Sequence, residues 1–148
     1  MRRNYYWMEK SELIRVTAEN ELMQFLGVKI VETSAERVVL TMAVTPKVHQ
    51  YVGIMNGGVS LYLFETAASI GVVANADLTK VTPVGIEINA NHMRAVSKGL
   101  LTVTAEPIRH GRTMSVWKIE SHDERGKLVC TGRISILLQN RPAFPSEN

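Results

Sequence analysis

The chain of 148 residues is long enough for one domain that buries roughly two thirds of its unfolded surface, so it needs no staple to hold a core. With 45% hydrophobic and 21% charged residues it has the balance of an ordinary globular protein, and no uninterrupted apolar run reaches the length of a membrane span. A net charge of +3 without a basic stripe is too mild for a nucleic-acid binder.

The opening MRRNYYWMEK is basic but lacks the apolar stretch and small-residue cleavage site of a signal peptide, which predicts a cytoplasmic protein. Residues 9–25, EKSELIRVTAENELMQF, read as an N-terminal helix with Ser11 as N-cap and Gly27 as its stop. VKIVETSAERVVLTMAV, 28–44, alternates apolar and polar residues in two pieces, as a long or bent strand or a hairpin does, and Pro46 ends it. A loop over 47–55 leads into a central helix over 57–76. Four strand candidates follow: VTPVGIEINANHMR, LLTVTAEPIRHG, TMSVWKIESHD and KLVCTGRISILL, punctuated by turns at Gly99, 111–112 and 123–126. RPAFPSEN, 141–148, reads as a frayed tail. With no repeat, linker or low-complexity tract, residues 1–148 form a single domain.

Eleven of the sixteen residues from Val59 to Ala74 are apolar, so the central helix needs cover on nearly every side. One apolar helix wrapped by a curved antiparallel sheet, an α+β architecture, is the economical packing. Cys130 is the only cysteine, which excludes an intrachain disulfide and a cysteine-based zinc site; in LVCTGRISILL it reads as a small buried hydrophobe. The four histidines are scattered, with no metal-ligand spacing.

Glu65 is the only Asp, Glu, Lys or Arg from Val48 to Ala76. A carboxylate buried in such a helix needs either hydrogen-bonding neighbours or a task. Ser69 lies one turn further along the same face. Upstream, Asn56, Gly57 and Gly58 sit where the helix begins, and there unpaired N–H groups and a partial positive charge outline an oxyanion hole. Equally, the glycines make the turn and Asn56 is an N-cap. Arg94, Lys98, Arg109 and Arg112, with His110 among them, form a basic cluster that is either a solvated face or a site for ligand phosphates.

The blocks NGGVSLYLFETAASIG, GIEINANHMRAV, PIRHGRTMSVWKIE and DERGKLVCTGR, in this order over about residues 20–140, resemble the hotdog-fold acyl-CoA thioesterases. The likeness is to the PaaI-like group that includes the enterobactin proofreading thioesterase and the dihydroxynaphthoyl-CoA thioesterase. It implies a long central helix inside a five-stranded antiparallel sheet, homodimers with joined sheets, and a dimer of dimers. It also implies an active site between two subunits, with Glu65 as nucleophile or general base. Gln50 would position the thioester, the Gly57 amide would bind its carbonyl oxygen, and Ser69 would stand one turn past the carboxylate. His92 and Arg94 would lie near the acyl and pantetheine passage, and Gly58, His110 and Arg112 are further candidates for substrate binding. The family usually reads His-Gly-Gly; here Asn56 replaces the histidine and offers amide donors. His49, seven residues earlier, reads as a loop residue. The substrate implied is an acyl-CoA or acyl-carrier-protein thioester, with coenzyme A as part of the substrate, no separate cofactor, no metal, no nucleic acid and no membrane. The alternative is a non-catalytic acyl-CoA-binding or regulatory protein, which the costly Glu65 disfavours.

Overall fold

A computed structural model describes residues 8–141. The first seven residues and residues 142–148 of the predicted tail lie outside that range.

The N-terminal helix is two helices, α1 (Lys10–Ala18) and α2 (Glu21–Leu26). The break is at Asn20, whose extended backbone (φ −60°, ψ 138°) and side-chain acceptance of the Leu22 N–H at 2.9 Å start a new helix within an unbroken apolar period. Glu9, not Ser11, is the N-cap of α1, and Ser11 lies inside the helix. Gly27 closes α2 in the left-handed region (φ 69°).

Residues 28–44 form a hairpin of β1 (Lys29–Thr33) and β2 (Val38–Val44). The Ser34 hydroxyl accepts the Arg37 N–H at 2.9 Å and ties the turn. A 3-10 turn over Pro46–Val48 follows, and then α3 (Gly57–Asn75). The remaining strands are β3 (Val81–His92), β4 (Gly99–His110), β5 (Met114–His122) and β6 (Leu128–Asn140). They form one antiparallel sheet in the order β1-β2-β4-β5-β6-β3. The sheet therefore has six strands rather than five, because the 28–44 segment folds back on itself.

Between β2 and β3 the chain crosses the sheet as α3. Its buried Leu63, Phe64, Ala67, Ala68, Ile70 and Val72 meet Leu40, Met42, Leu101, Trp117, Ile119 and Ile134. Each large side chain fully buried there contributes about 1.5–3 kcal/mol. By length and composition α3 would span a membrane, yet it is the core helix of this packing. Trp117 fixes its depth: the indole lies against Gly71, where any Cβ would collide with it, and its Nε1 donates to Ser115 Oγ at 2.8 Å. Cys130 is buried as expected, and desolvation pushes its thiol up.

Of the six strands, β3 does most to position the candidate site. It is an edge strand, which is why Pro83, lacking an N–H, is tolerated in it. Its register against β6 shifts between Gly85 and Glu87, leaving Ile86 exposed at a bulge.

Candidate active site

The loop before α3 is fastened by its backbone. The Gln50 N–H donates to the Ile54 carbonyl, the Met55 N–H to Val96 and the Asn56 N–H to Val48, each at 2.8 Å. His49 Nε2 lies 2.8 Å from the Ser97 carbonyl, and a carbonyl only accepts, so Nε2 carries the proton. His49 is thus a loop residue, as read from the sequence.

Asn56 is the N-cap of α3, and its Oδ1 accepts the Gly58 N–H at 2.8 Å. That bond fixes the amide's orientation and leaves Nδ2 pointing away, without a partner among the described residues. The Gly57 N–H also has none. The helix therefore opens with two unspent donors and the positive end of its dipole, so the cap and oxyanion-hole readings hold together. The N–H of Gly58 is consumed by the cap. His92, ending β3, packs its ring on Gly57; a Cβ there would lie 2.7 Å from Nε2, so the contact requires glycine. Gln50, Gly57, His92 and Arg94 line one cavity of about 290 Å³, floored by the buried Ser60.

Glu65 lies elsewhere. It is eight residues beyond Gly57, about 12 Å along the helix. Contrary to the buried carboxylate expected, its side chain is exposed in this chain and has no hydrogen bond or ion pair among the described residues. The physical reason is that α3 turns this stripe toward the β3 edge, where the carboxylate rests on Gly85. Ser69 joins Glu65 in lining a second, largely apolar cavity of about 340 Å³ under α1. One protomer thus holds the oxyanion donors and the carboxylate in separate places.

His110 and Arg112 belong to neither. They line a cavity of about 260 Å³ at the C-terminal end of α3, beside Asn75 and Asp77. The Thr79 hydroxyl and Lys80 hold the Asp77 carboxyl at about 2. His110 packs edge-on against Trp117, its Nδ1 3.2 Å from Ser115 Oγ and its Nε2 3.2 Å from the Ala35 carbonyl, the partners of a structural histidine. The basic cluster is two groups: Arg94 and Lys98 precede β4, whereas Arg109, His110 and Arg112 stand at its far end, roughly 35 Å away. Gly85 was missed in the sequence although a glycine inside a strand signals close approach of another group. Nothing in the sequence marked Ile14 and Thr17, the α1 residues facing Glu65's cavity.

The thioesterase superfamily model matches residues 52–130. The 1,4-dihydroxy-2-naphthoyl-CoA hydrolase of Listeria monocytogenes is 40% identical over 120 residues, covering 81% of this chain and 97% of the relative. The proofreading thioesterase EntH of Cronobacter turicensis is 35% identical over 84% of this chain and 90% of its own. Among solved structures, a thioesterase from Haemophilus influenzae superposes with a TM-score of 0.80 at 31% identity, over 95% of this chain and 96% of that one.

Proposed function

Because the chain belongs to the thioesterase superfamily and is a thioester hydrolase, we propose that it hydrolyses acyl-CoA thioesters at a site shared by two copies. Glu65 of one copy works with Gln50, Asn56 and Gly57 of the other. The acyl-CoA reading is supported by the Listeria relative, named as a CoA-thioester hydrolase, and a cytoplasmic location goes with that substrate.

One observation carries the composite site. Glu65 rests on Gly85 and Gly57 on His92, so both halves abut the same strand, which among the described residues pairs only with β6, at points seven residues apart. The midpoint falls between Ile88 and Asn89. Antiparallel pairing of two β3 strands about that point sets Gly85 of each copy opposite His92 of the other, across one interstrand spacing of about 4.8 Å. Each Glu65 then faces the other copy's oxyanion donors, and one two-fold axis makes two identical sites. The exposed Val84 and Ile86 on this edge gain cover by the same pairing. A dimer of dimers preserves both sites.

At such a site the thioester carbonyl oxygen accepts from the Gly57 N–H and Asn56 Nδ2, which stabilise the developing oxyanion, worth about a hundredfold to a thousandfold per donor. Glu65 either attacks the carbonyl carbon, giving an anhydride that water opens, or takes a proton from attacking water. Either route consumes one water, breaks the C–S bond and releases the thiol. Gln50 orients the thioester, Ser69 supports the carboxylate, and His92 and Arg94 flank the pantetheine arm.

The test is thiol release from aryl, short and long acyl-CoA thioesters. Glu65→Gln should lower kcat a hundredfold or more with unchanged circular dichroism, in the range of general acid–base catalysis. A variant within about threefold of wild type removes Glu65 from the mechanism. Turnover only of carrier-protein thioesters would move the substrate from CoA to the carrier.

A further inference from the structure

We propose that Ser60 is a third donor to the thioester carbonyl and that its hydroxyl meets the substrate when the His92 ring turns off Gly57. This rests on the thioesterase reading and adds a residue that touches the reacting group.

Ser60 follows Asn56 by four residues and Gly57 by three, so the three share one face of the start of α3. Side chains on a helix lean toward its N-terminus, which aims the Ser60 hydroxyl at the opening where the Gly57 N–H and Asn56 Nδ2 lie. The residue is fully buried, yet its Oγ has no hydrogen-bond partner among the described residues. A helical serine commonly bonds the carbonyl four residues back. Here that carbonyl, of Asn56, accepts the Val59 N–H at 3.0 Å and not the hydroxyl. The neighbouring Cys130 thiol is a weak partner: burial pushes that thiol up, and the Ser60 hydroxyl opposes the push without cancelling it.

An unpaired buried hydroxyl weakens a fold, so its presence calls for a use. Three hydroxyls are in this state among the described residues, those of Thr45, Ser60 and Ser121. Of these, only Ser60 lines the cavity shared by Gln50, Gly57 and His92. The movable part of that lining is His92, an exposed residue whose ring rests on Gly57 and forms no hydrogen bond or ion pair among the described residues. Turning this one ring gives a carbonyl oxygen room beside Gly57 and Ser60 together. A hydrogen bond to a charged oxygen is about twice as strong as one to a neutral oxygen. Ser60 therefore acts mainly on the oxyanion, and its loss lowers kcat more than it raises KM.

The experiment compares Ser60→Ala with Ser121→Ala, which deletes an equally buried, unpartnered hydroxyl on β5 outside that cavity. Both variants should hold or raise the urea midpoint, because each removes an unsatisfied group. Ser60→Ala should lower kcat for benzoyl-CoA at least about tenfold with KM within about threefold, while Ser121→Ala keeps wild-type kcat. The proposal is overturned by a Ser60→Ala kcat within about threefold of wild type, by an equal loss in Ser121→Ala, or by a loss of activity that comes with a fallen midpoint. Spectroscopy supplies a readout without turnover. The infrared carbonyl stretch of benzoyl-CoA bound to Glu65→Gln protein should lie at lower frequency than when Ser60→Ala is added, and coincident bands also overturn the proposal. If wild type hydrolyses no CoA thioester, the acyl-CoA hydrolase reading fails, and the stretch still decides whether Ser60 meets the carbonyl.

Discussion

Replacing Gly85 by alanine should separate catalysis from stability. A Cβ at this position collides with Glu65 Oε1 and comes within 3.4 Å of the carboxylate carbon. The colliding atom is the tip of an exposed side chain that has no hydrogen bond or ion pair among the described residues, so the fold yields by swinging the carboxylate aside. Gly85 does not have a positive φ, so alanine fits without backbone strain, and the reduced entropy of the unfolded chain adds about 0.4–1 kcal/mol. The urea midpoint should therefore hold or rise. The carboxylate must move by about an ångström, and a misplacement of that size costs about a hundredfold in rate. The assay is thiol release under saturating substrate, beside urea unfolding of the same preparation. Because the loss acts through Glu65, adding Gly85→Ala to Glu65→Gln should produce little further decline. A kcat within about threefold of wild type, or full additivity with Glu65→Gln, would refute the placement of the carboxylate on Gly85.

Three substitutions at Asn56 divide its two roles. Asn56→Asp keeps a capping oxygen and should retain stability while losing the Nδ2 donor and most activity; Asn56→Ala should lose about 1 kcal/mol as well. Asn56→His should retain or raise thiol release, and a folded but dead His variant would show that this pocket has diverged from the family's His-Gly-Gly. Gly71→Ala drives a methyl into the Trp117 ring and should destabilise by about 1–3 kcal/mol in urea unfolding; an unchanged midpoint would contradict that packing.

The fold was legible where the pattern is local. The apolar density of α3, the glycines before it and the turn signals around β4, β5 and β6 placed those elements within a few residues. The break at Asn20 was hidden because the apolar residues keep helical spacing across it, and only the cap reveals two helices. The hairpin at 28–44 stayed open because one strand and two strands share the same alternation. Within the site, Asn56, Gly57 and Glu65 stood out as a capped, glycine-rich helix start and a lone charge. The surroundings of Glu65 did not, since burial was inferred from its helical neighbours and its exposure is set by the edge position of β3. His110 and Arg112 were grouped with Arg94 by sequence distance, and a twelve-residue strand then carries them apart.

The central claim, a site completed only by two copies, is tested most directly by mixing two inactive variants. Glu65→Gln subunits keep the oxyanion donors, and Gly57→Val subunits keep the carboxylate while the valine displaces His92. After subunit exchange, each mixed dimer regains one site with both halves intact, so an equimolar mixture should recover about a quarter of wild-type thiol release. A mixture that stays inactive after exchange is confirmed by mass-tagged chains, or an active monomer in sedimentation, would contradict the account.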